Sequence, residues 1–145
     1  SIRQFIDLGI PAKGLAELNE ISWGDYEGTP MTTQEDEYYR HMLTQWQLGN
    51  LDYAIAGGES PNKVAERMRR GIEIILNGPG ENVLVCMHGR AMRIFLSIIL
   101  NYDLRYMDQF EHNNLCLYLL EQLEDNSFVA KKFNSQEHLR ALNLP

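Results

Sequence analysis

Apolar residues recur along this chain with more than one period, and the changes between periods mark its elements. Between Ser60 and Gly78, the residues Val64, Met68, Ile72, Ile75 and Leu76 recur at the spacing of one helix face. Ser60 is placed to cap that helix, Pro61 suits its first position, and Gly78 ends it. Residues 90 to 101 repeat the helical spacing through Met92, Phe95, Ile98 and Ile99. Residues 33 to 48 read as a helix capped by Thr33, because acids crowd the first turn, where the helix dipole favours them. Residues 1 to 8 read as the end of another, with Ile2, Phe5 and Ile6 on one face and Gly9 as its stop. Residues 83 to 87, by contrast, form a short apolar run with no polar alternation, which predicts a strand covered on both faces in a parallel sheet. "NNLCLYLLEQL" and "SFVAKKF" predict two strands joined by a turn at Glu124-Asp125-Asn126, and "SQEHLRAL" a short helix capped by Ser135. Residues 15 to 28 hold turn formers without a sustained period and read mostly as loop.

Helix, strand, helix and hairpin together imply an α/β sandwich. One strand is too little to cover the Val64–Ile72 stripe. The expectation is therefore a single domain over residues 1–145 that is incomplete at its N-terminus, wanting at least one βαβ unit of roughly 30 residues.

Composition adds exclusions. With 44% hydrophobic and 23% charged residues the chain resembles folded globular proteins, and no apolar stretch approaches the length of a bilayer span. The opening "SIRQFIDLGIPAKG" carries charges inside its apolar pattern and lacks a signal-peptide layout. Cys86 and Cys116 lie in apolar runs and are expected as buried thiols of a cytoplasmic protein. A formal net charge of −7 argues against broad nucleic-acid or anionic-membrane surfaces. A small anion is compatible with it, since Arg67, Arg69, Arg70, Arg90, Arg93 and Arg105 cluster in one third of the chain. Most of these arginines, Arg90 included, are expected on solvated helix faces. No His/Cys/Asp group has metal-ligand spacing, so the spacing points to no metal site.

Two stretches suggest chemistry. In "VLVCMHGRAMRIF", residues 83 to 95, His88 ends the apolar run and a helix follows at once. Ligands of open α/β sheets gather at that point, where unpaired helix N–H groups and the dipole favour an anion. Gly89 would let the backbone approach it without a side chain in the way. Read alone, His88 is equally an ordinary surface histidine. In "ELNEISWGDYEG", a loop carboxyl held against Trp23 or Tyr26 would suit a general acid, although surface carboxylates around a turn would look the same.

Together the stretches resemble the histidine phosphatase superfamily, the phosphoglycerate mutase-like proteins. Its Leu-x-Glu-x-x-x-Gly-x-x-Glu-Gly loop matches Leu18-Asn19-Glu20, Gly24 and Glu27-Gly28. Its Gly-Gly-Glu-Ser helix start matches Gly57 to Ser60, and its strand ending in His-Gly matches Val83 to Gly89. The resemblance runs from Leu15 to about Leu120. It implies a three-layer α/β/α sandwich with a mostly parallel sheet, and a metal-independent hydrolase of the histidine acid type that needs no cofactor and acts on a small phosphorylated substrate through a phosphohistidine. Glu20 would protonate the leaving alkoxide, His88 would stabilise the phosphoryl group, and the Gly89 N–H would be a further phosphate donor. Glu59 and Arg67 are expected to be structural.

The departure is that the family's nucleophilic histidine, in an Arg-His-Gly motif, has no counterpart here. His41, His112 and His138 lack that context; His112 is expected as ordinary structure and His138 as docking the C-terminal helix. The nucleophile would then lie in a preceding segment, and these 145 residues alone would be inactive. Residues 29–56 would form a lid, acidic at Glu35, Asp36 and Glu37 and aromatic at Tyr38, Tyr39, Trp46 and Tyr53. Such a lid fits monoesters with few other negative charges. A mutase-type phosphotransferase and a non-catalytic phosphate-ester binding domain stay open as alternatives, as does homo-oligomerisation.

Overall fold

The computed structural model describes residues 7–28 and 32–140. The helix expected over residues 1 to 8 falls mainly outside them; Gly9, its expected stop, has φ +76°. Helix α1 spans Thr33–Gln47, α2 Pro61–Leu76, α3 Gly89–Ile99 and the short α4 Glu137–Arg140. Short 3-10 helices occupy Ala16–Leu18, Gly24–Tyr26 and Leu104–Gln109. Strands β1, Leu117–Gln122, and β2, Phe128–Ser135, pair antiparallel, with a register irregularity around Leu119.

Local chemistry explains the helix ends. Ser60 caps α2 by accepting from the Lys63 N–H, with Pro61 at the first position. The cap of α1 is Thr32, not Thr33. Its hydroxyl accepts from the Glu35 N–H at 3.2 Å and the Glu35 carboxylate accepts from the Thr32 N–H at 2.7 Å, a reciprocal pair that only Thr32 can form with its third neighbour.

The core lies where α2 crosses α3. Val64, Ala65, Met68 and Ile72 of α2 pack with Ala91, Ile94 and Phe95 of α3, joined by Met42 and Trp46 of α1 and by Ile21, Ile55 and Met107. The α2 stripe, expected to want a cover, thus has one: Val64 and Met68 are fully buried. Residues 83–87 differ from expectation. Among the described residues the sheet is the β1–β2 hairpin alone, and the 83–87 run has no ladder partner. Val83 is 54% exposed and Leu84 59%. An apolar sequence cannot make a strand without a neighbouring backbone to receive its N–H and C=O groups. Cys86 is correspondingly exposed instead of buried, Cys116 is half-buried, and both are free thiols.

Candidate functional site

Two of the sequence motifs interlock through backbone contact. The Trp23-Gly24 turn lies on Ala56–Gly58, with the Asp25 N–H donating to the Ala56 carbonyl at 3.0 Å and the Glu59 N–H to the Ser22 carbonyl at 2.9 Å. A Cβ on Gly24 would come within 2.2 Å of the Ala56 oxygen, and one on Gly58 within 2.7 Å of the Ser22 oxygen. Gly24 also has φ +55°, a conformation that other residues adopt at a cost. The two glycines are what let the acid loop and the start of α2 touch.

Glu59 and Arg67 lock this contact from the side. The Glu59 carboxylate accepts from the Ser22 N–H at 3.0 Å and twice from the Arg67 guanidinium at 2.8 Å. The Arg67 hydrogen bond, outweighing partial desolvation, holds Glu59 below its ordinary carboxylate range. The other Arg67 contacts donate to the carbonyls of Glu17 at 2.7 Å, Asn19 at 2.9 Å and Glu20 at 3.1 Å. Both residues are structural, as the sequence suggested.

Arg67 thereby fixes the backbone of Glu20, whose side chain reaches the start of α3. Glu20 Oε2 accepts from the Arg90 N–H at 3.1 Å, and Oε1 accepts from the Ala91 N–H at 2.7 Å and the Ile21 N–H at 2.9 Å. His88 occupies the N-cap position of α3 but makes no side-chain cap bond. A carboxylate from a distant loop therefore does the capping, in the field of the helix dipole. This corrects one expectation: two N–H groups thought open to a ligand are already taken. The Gly89 N–H is not in that set. The His88 ring is exposed and has no hydrogen-bond partner among the described residues. Glu20 and the His88-Gly89 turn, far apart in sequence, are thus brought together.

One neighbour of this turn, Arg90, differs from its expected place, and a second, His112, stands close to the turn. Arg90 is buried instead of solvated, at 8% exposure. Its guanidinium pairs with Asp108, donates to the Tyr39 hydroxyl at 3.1 Å and lies over the Trp46 ring at 5.6 Å. Asp108 also takes Arg93 Nη1 at 2.8 Å. Helical spacing places position 90 near a helix start, a site usually solvated, and no local signal announces that α1 and the 104–109 turn fold over it. His112, expected as ordinary structure, stands against the turn itself. A Cβ on Gly89 would lie 3.1 Å from its Nδ1 and 3.2 Å from its Cε1. The space left by the missing Gly89 side chain is filled on that side by an imidazole.

The remaining candidates lie elsewhere. The His41 ring meets Tyr53 edge-on at 5.7 Å. His138 is exposed on α4, where Leu139 is the half-buried residue, so the histidine does not dock that helix. In the 32–56 segment the hydroxyls of Tyr38 and Tyr53 share a 3.3 Å hydrogen bond, which pushes Tyr38 up to about 12. The segment is anchored rather than loose: Trp46 is buried and its indole N–H donates to the Tyr53 carbonyl at 2.8 Å. A cavity of about 360 Å³ is lined by Gln47, Arg105, Tyr106, Asp108 and Gln109, none of them a candidate site residue. Among the described residues no group of three or more His, Cys, Asp or Glu is placed to hold a metal ion, and no helix is long and apolar enough to cross a membrane.

Comparison with known proteins follows the same lines. The chain shares its fold with the mycobacterial glucosyl-3-phosphoglycerate phosphatase in complex with inorganic phosphate, at TM-score 0.70 and 20% identity over 88% of this chain and 66% of that one. The alpha-ribazole phosphatase from Shigella flexneri matches at TM-score 0.70 and 19% identity over 89% of this chain and 63% of that one. Bacillus stearothermophilus YhfR matches at TM-score 0.66 and 20% identity over 85% and 61%. The chain therefore spans somewhat under two thirds of the length of these structures. No curated protein matches it. The family model described as histidine phosphatase superfamily (branch 1) matches residues 2–136.

Proposed function

This chain belongs to the histidine phosphatase superfamily, and on that premise we propose that the whole protein hydrolyses phosphomonoesters through a phosphohistidine. The nucleophile is a histidine supplied from outside these 145 residues, since no Arg-His-Gly occurs within them. The observation that carries the reading is the Glu20 carboxylate on the amides of Arg90 and Ala91, beside the His88-Gly89 turn. In the whole protein, residues 83–87 pair with strands from that outside segment, completing the mostly parallel sheet of a three-layer sandwich.

In the first step the bond from phosphorus to the ester oxygen breaks as a bond to the histidine nitrogen forms, and Glu20 passes its proton to the departing alkoxide. In the second, water attacks phosphorus, the P–N bond breaks, and Glu20 takes the water's proton. Glu20 Oε2 is the oxygen for this transfer. It gives up one amide bond, at 3.1 Å, whereas Oε1 would give up two. His88 and the Gly89 N–H hold the equatorial oxygens, where charge builds in the transition state.

The 29–56 segment, acidic and aromatic, acts as the lid and disfavours substrates with further negative charge. The substrate class is thus a small monoester with an otherwise neutral alcohol, and the protein works in the cytoplasm. Steady-state kinetics on the full-length protein test this. Glu20→Gln should slow an alkyl phosphate by about 10²-fold or more, and p-nitrophenyl phosphate far less, because nitrophenolate leaves without protonation. Equal losses on both would remove Glu20 as the acid, and a preference for bisphosphates would overturn the substrate class. The second reading, a phosphate-ester binding domain without turnover, is favoured by the lack of an Arg-His-Gly motif. Phosphate binding with no hydrolysis by the full-length protein would select it.

A further inference from the structure

His112 is carried to the His88-Gly89 turn by a loop tied down from several directions. The Arg93 Nε–H donates to the Phe110 carbonyl at 2.9 Å, and the Tyr118 hydroxyl to the Glu111 carbonyl at 2.6 Å. The Asn113 N–H donates to Asn134 Oδ1 at 2.8 Å, and Gln136 Nε2 to the Asn114 carbonyl at 3.0 Å. Residues on both sides of His112 are thus fixed by α3, β1, β2 and the residue after β2, while the imidazole is left exposed, with no hydrogen-bond partner among the described residues. Its ring is close enough to Gly89 that an added Cβ would crowd it. Its Nδ1 is the ring atom nearest to the Cβ position of Gly89, the residue that follows His88, and no protein acceptor among the described residues takes either nitrogen.

From this placement we infer that His112 is a substrate-contacting residue, whose imidazole donates a hydrogen bond to the phosphoryl group held at the His88-Gly89 turn. The inference rests on the proposed phosphatase reading and adds to it a donor from the loop before the hairpin. It also gives a physical reason for glycine at position 89: a side chain there would displace the ring as well as obstruct the ligand. Carried on a pinned loop, the imidazole is pre-positioned, so little ordering is needed when the anion arrives.

The test uses the full-length protein, with inorganic phosphate and vanadate as probes and p-nitrophenyl phosphate as substrate. His112→Ala should weaken binding of both anions about tenfold, the loss expected for one hydrogen bond to a charged group. kcat/KM should fall at least as far, and the melting temperature should stay within a degree or two of the parent's. His112→Gln, which keeps a donor of similar reach, should recover part of the anion affinity. Unchanged anion affinity in His112→Ala overturns the inference. So does a loss of affinity that merely follows a fall in melting temperature and is not recovered by glutamine. If the unsubstituted protein neither binds phosphate nor hydrolyses the ester, the phosphatase reading and this inference fall together. If it does both and His112→Ala does so equally well, only the inference falls.

Discussion

Two apolar runs of this chain end in opposite surroundings. On α2, Val64 and Met68 are wholly buried; in the 83–87 run, Val83 and Leu84 are more than half exposed. Both carry the same kind of side chain, so hydrophobicity alone does not decide. A helix satisfies its own backbone hydrogen bonds and needs only a cover for one stripe, which α3 and α1 supply. An extended run needs a cover and a paired backbone at once, and among the described residues 83–87 has no paired backbone and only partial cover, through Met87. The candidate site stands on the boundary between the two: His88 ends the unpaired run and Gly89 begins the covered helix.

The largest effect should come from the charges buried on the covered side. Arg90→Ala would leave Asp108 with Arg93 alone and open a gap against Trp46, and should cost about 3–5 kcal/mol. Arg70→Ala, removing an exposed pair with Glu66, should change stability by no more than about 0.5 kcal/mol. Urea denaturation of both variants would measure the contrast. Similar costs for the two would mean that the Arg90 cluster is not buried in solution.

The next contrast sets the two runs directly against each other. Met68→Ala should cost about 2–5 kcal/mol because it leaves a cavity between α2 and α3. In a protein of these 145 residues, Val83→Ala, at a site more than half exposed, should cost less than about 0.5 kcal/mol, whereas the strand pairing proposed for the full-length protein would raise that cost. A Val83→Ala cost comparable with that of Met68→Ala would show that this run is covered in solution.

The same boundary separates what was legible in the sequence from what was not. Local signals carried the helices: the Ser60 cap, Pro61 and the Val64–Ile72 spacing gave α2 almost to the residue, and the hairpin strands were readable around their turn. Glu20, His88 and Gly89 could be singled out because their types and spacings are unusual. Their meeting could not be derived from period or propensity, since it depends on Gly24 and Gly58 letting two backbones touch and on Arg67 holding the acid loop. The burial of Arg90 and the place of His112 at the Gly89 turn were illegible for one reason. Their environments are built by elements remote in sequence, α1 and the 104–109 turn for the first and the Gly89 turn for the second.

Acid should loosen the covered side through Glu59. Its carboxyl lies below the ordinary 4.5 in the folded protein, mainly through the Arg67 hydrogen bond. Its contribution is therefore complete above that value and is lost as pH falls through the folded one. The melting temperature of the parent should drop more between pH 6 and about pH 3 than that of Glu59→Gln, which is already without the charge. Parallel curves would mean that the Arg67–Glu59 pair contributes no pH-dependent stability.

A modest stability effect should belong to the boundary itself, and it separates capping from catalysis. α2 is capped locally by Ser60, whereas α3 takes its cap from Glu20, a residue of the distant loop. Ser60→Ala should cost about 1 kcal/mol. Glu20→Gln can keep the oxygen that accepts from Ala91 and Ile21, but it loses the bond from the Arg90 N–H and the charge at the helix start, together about 1–2 kcal/mol. If Glu20 is chiefly a cap, the full-length Glu20→Gln variant should lose the proposed hydrolysis only to the small degree that it loses folded protein. If it also moves a proton, hydrolysis of alkyl phosphates should fall by orders of magnitude at nearly unchanged stability. Denaturation and kinetics on the same preparation decide between these outcomes, because a cap of this strength cannot account for a loss of 10²-fold in a protein that remains folded.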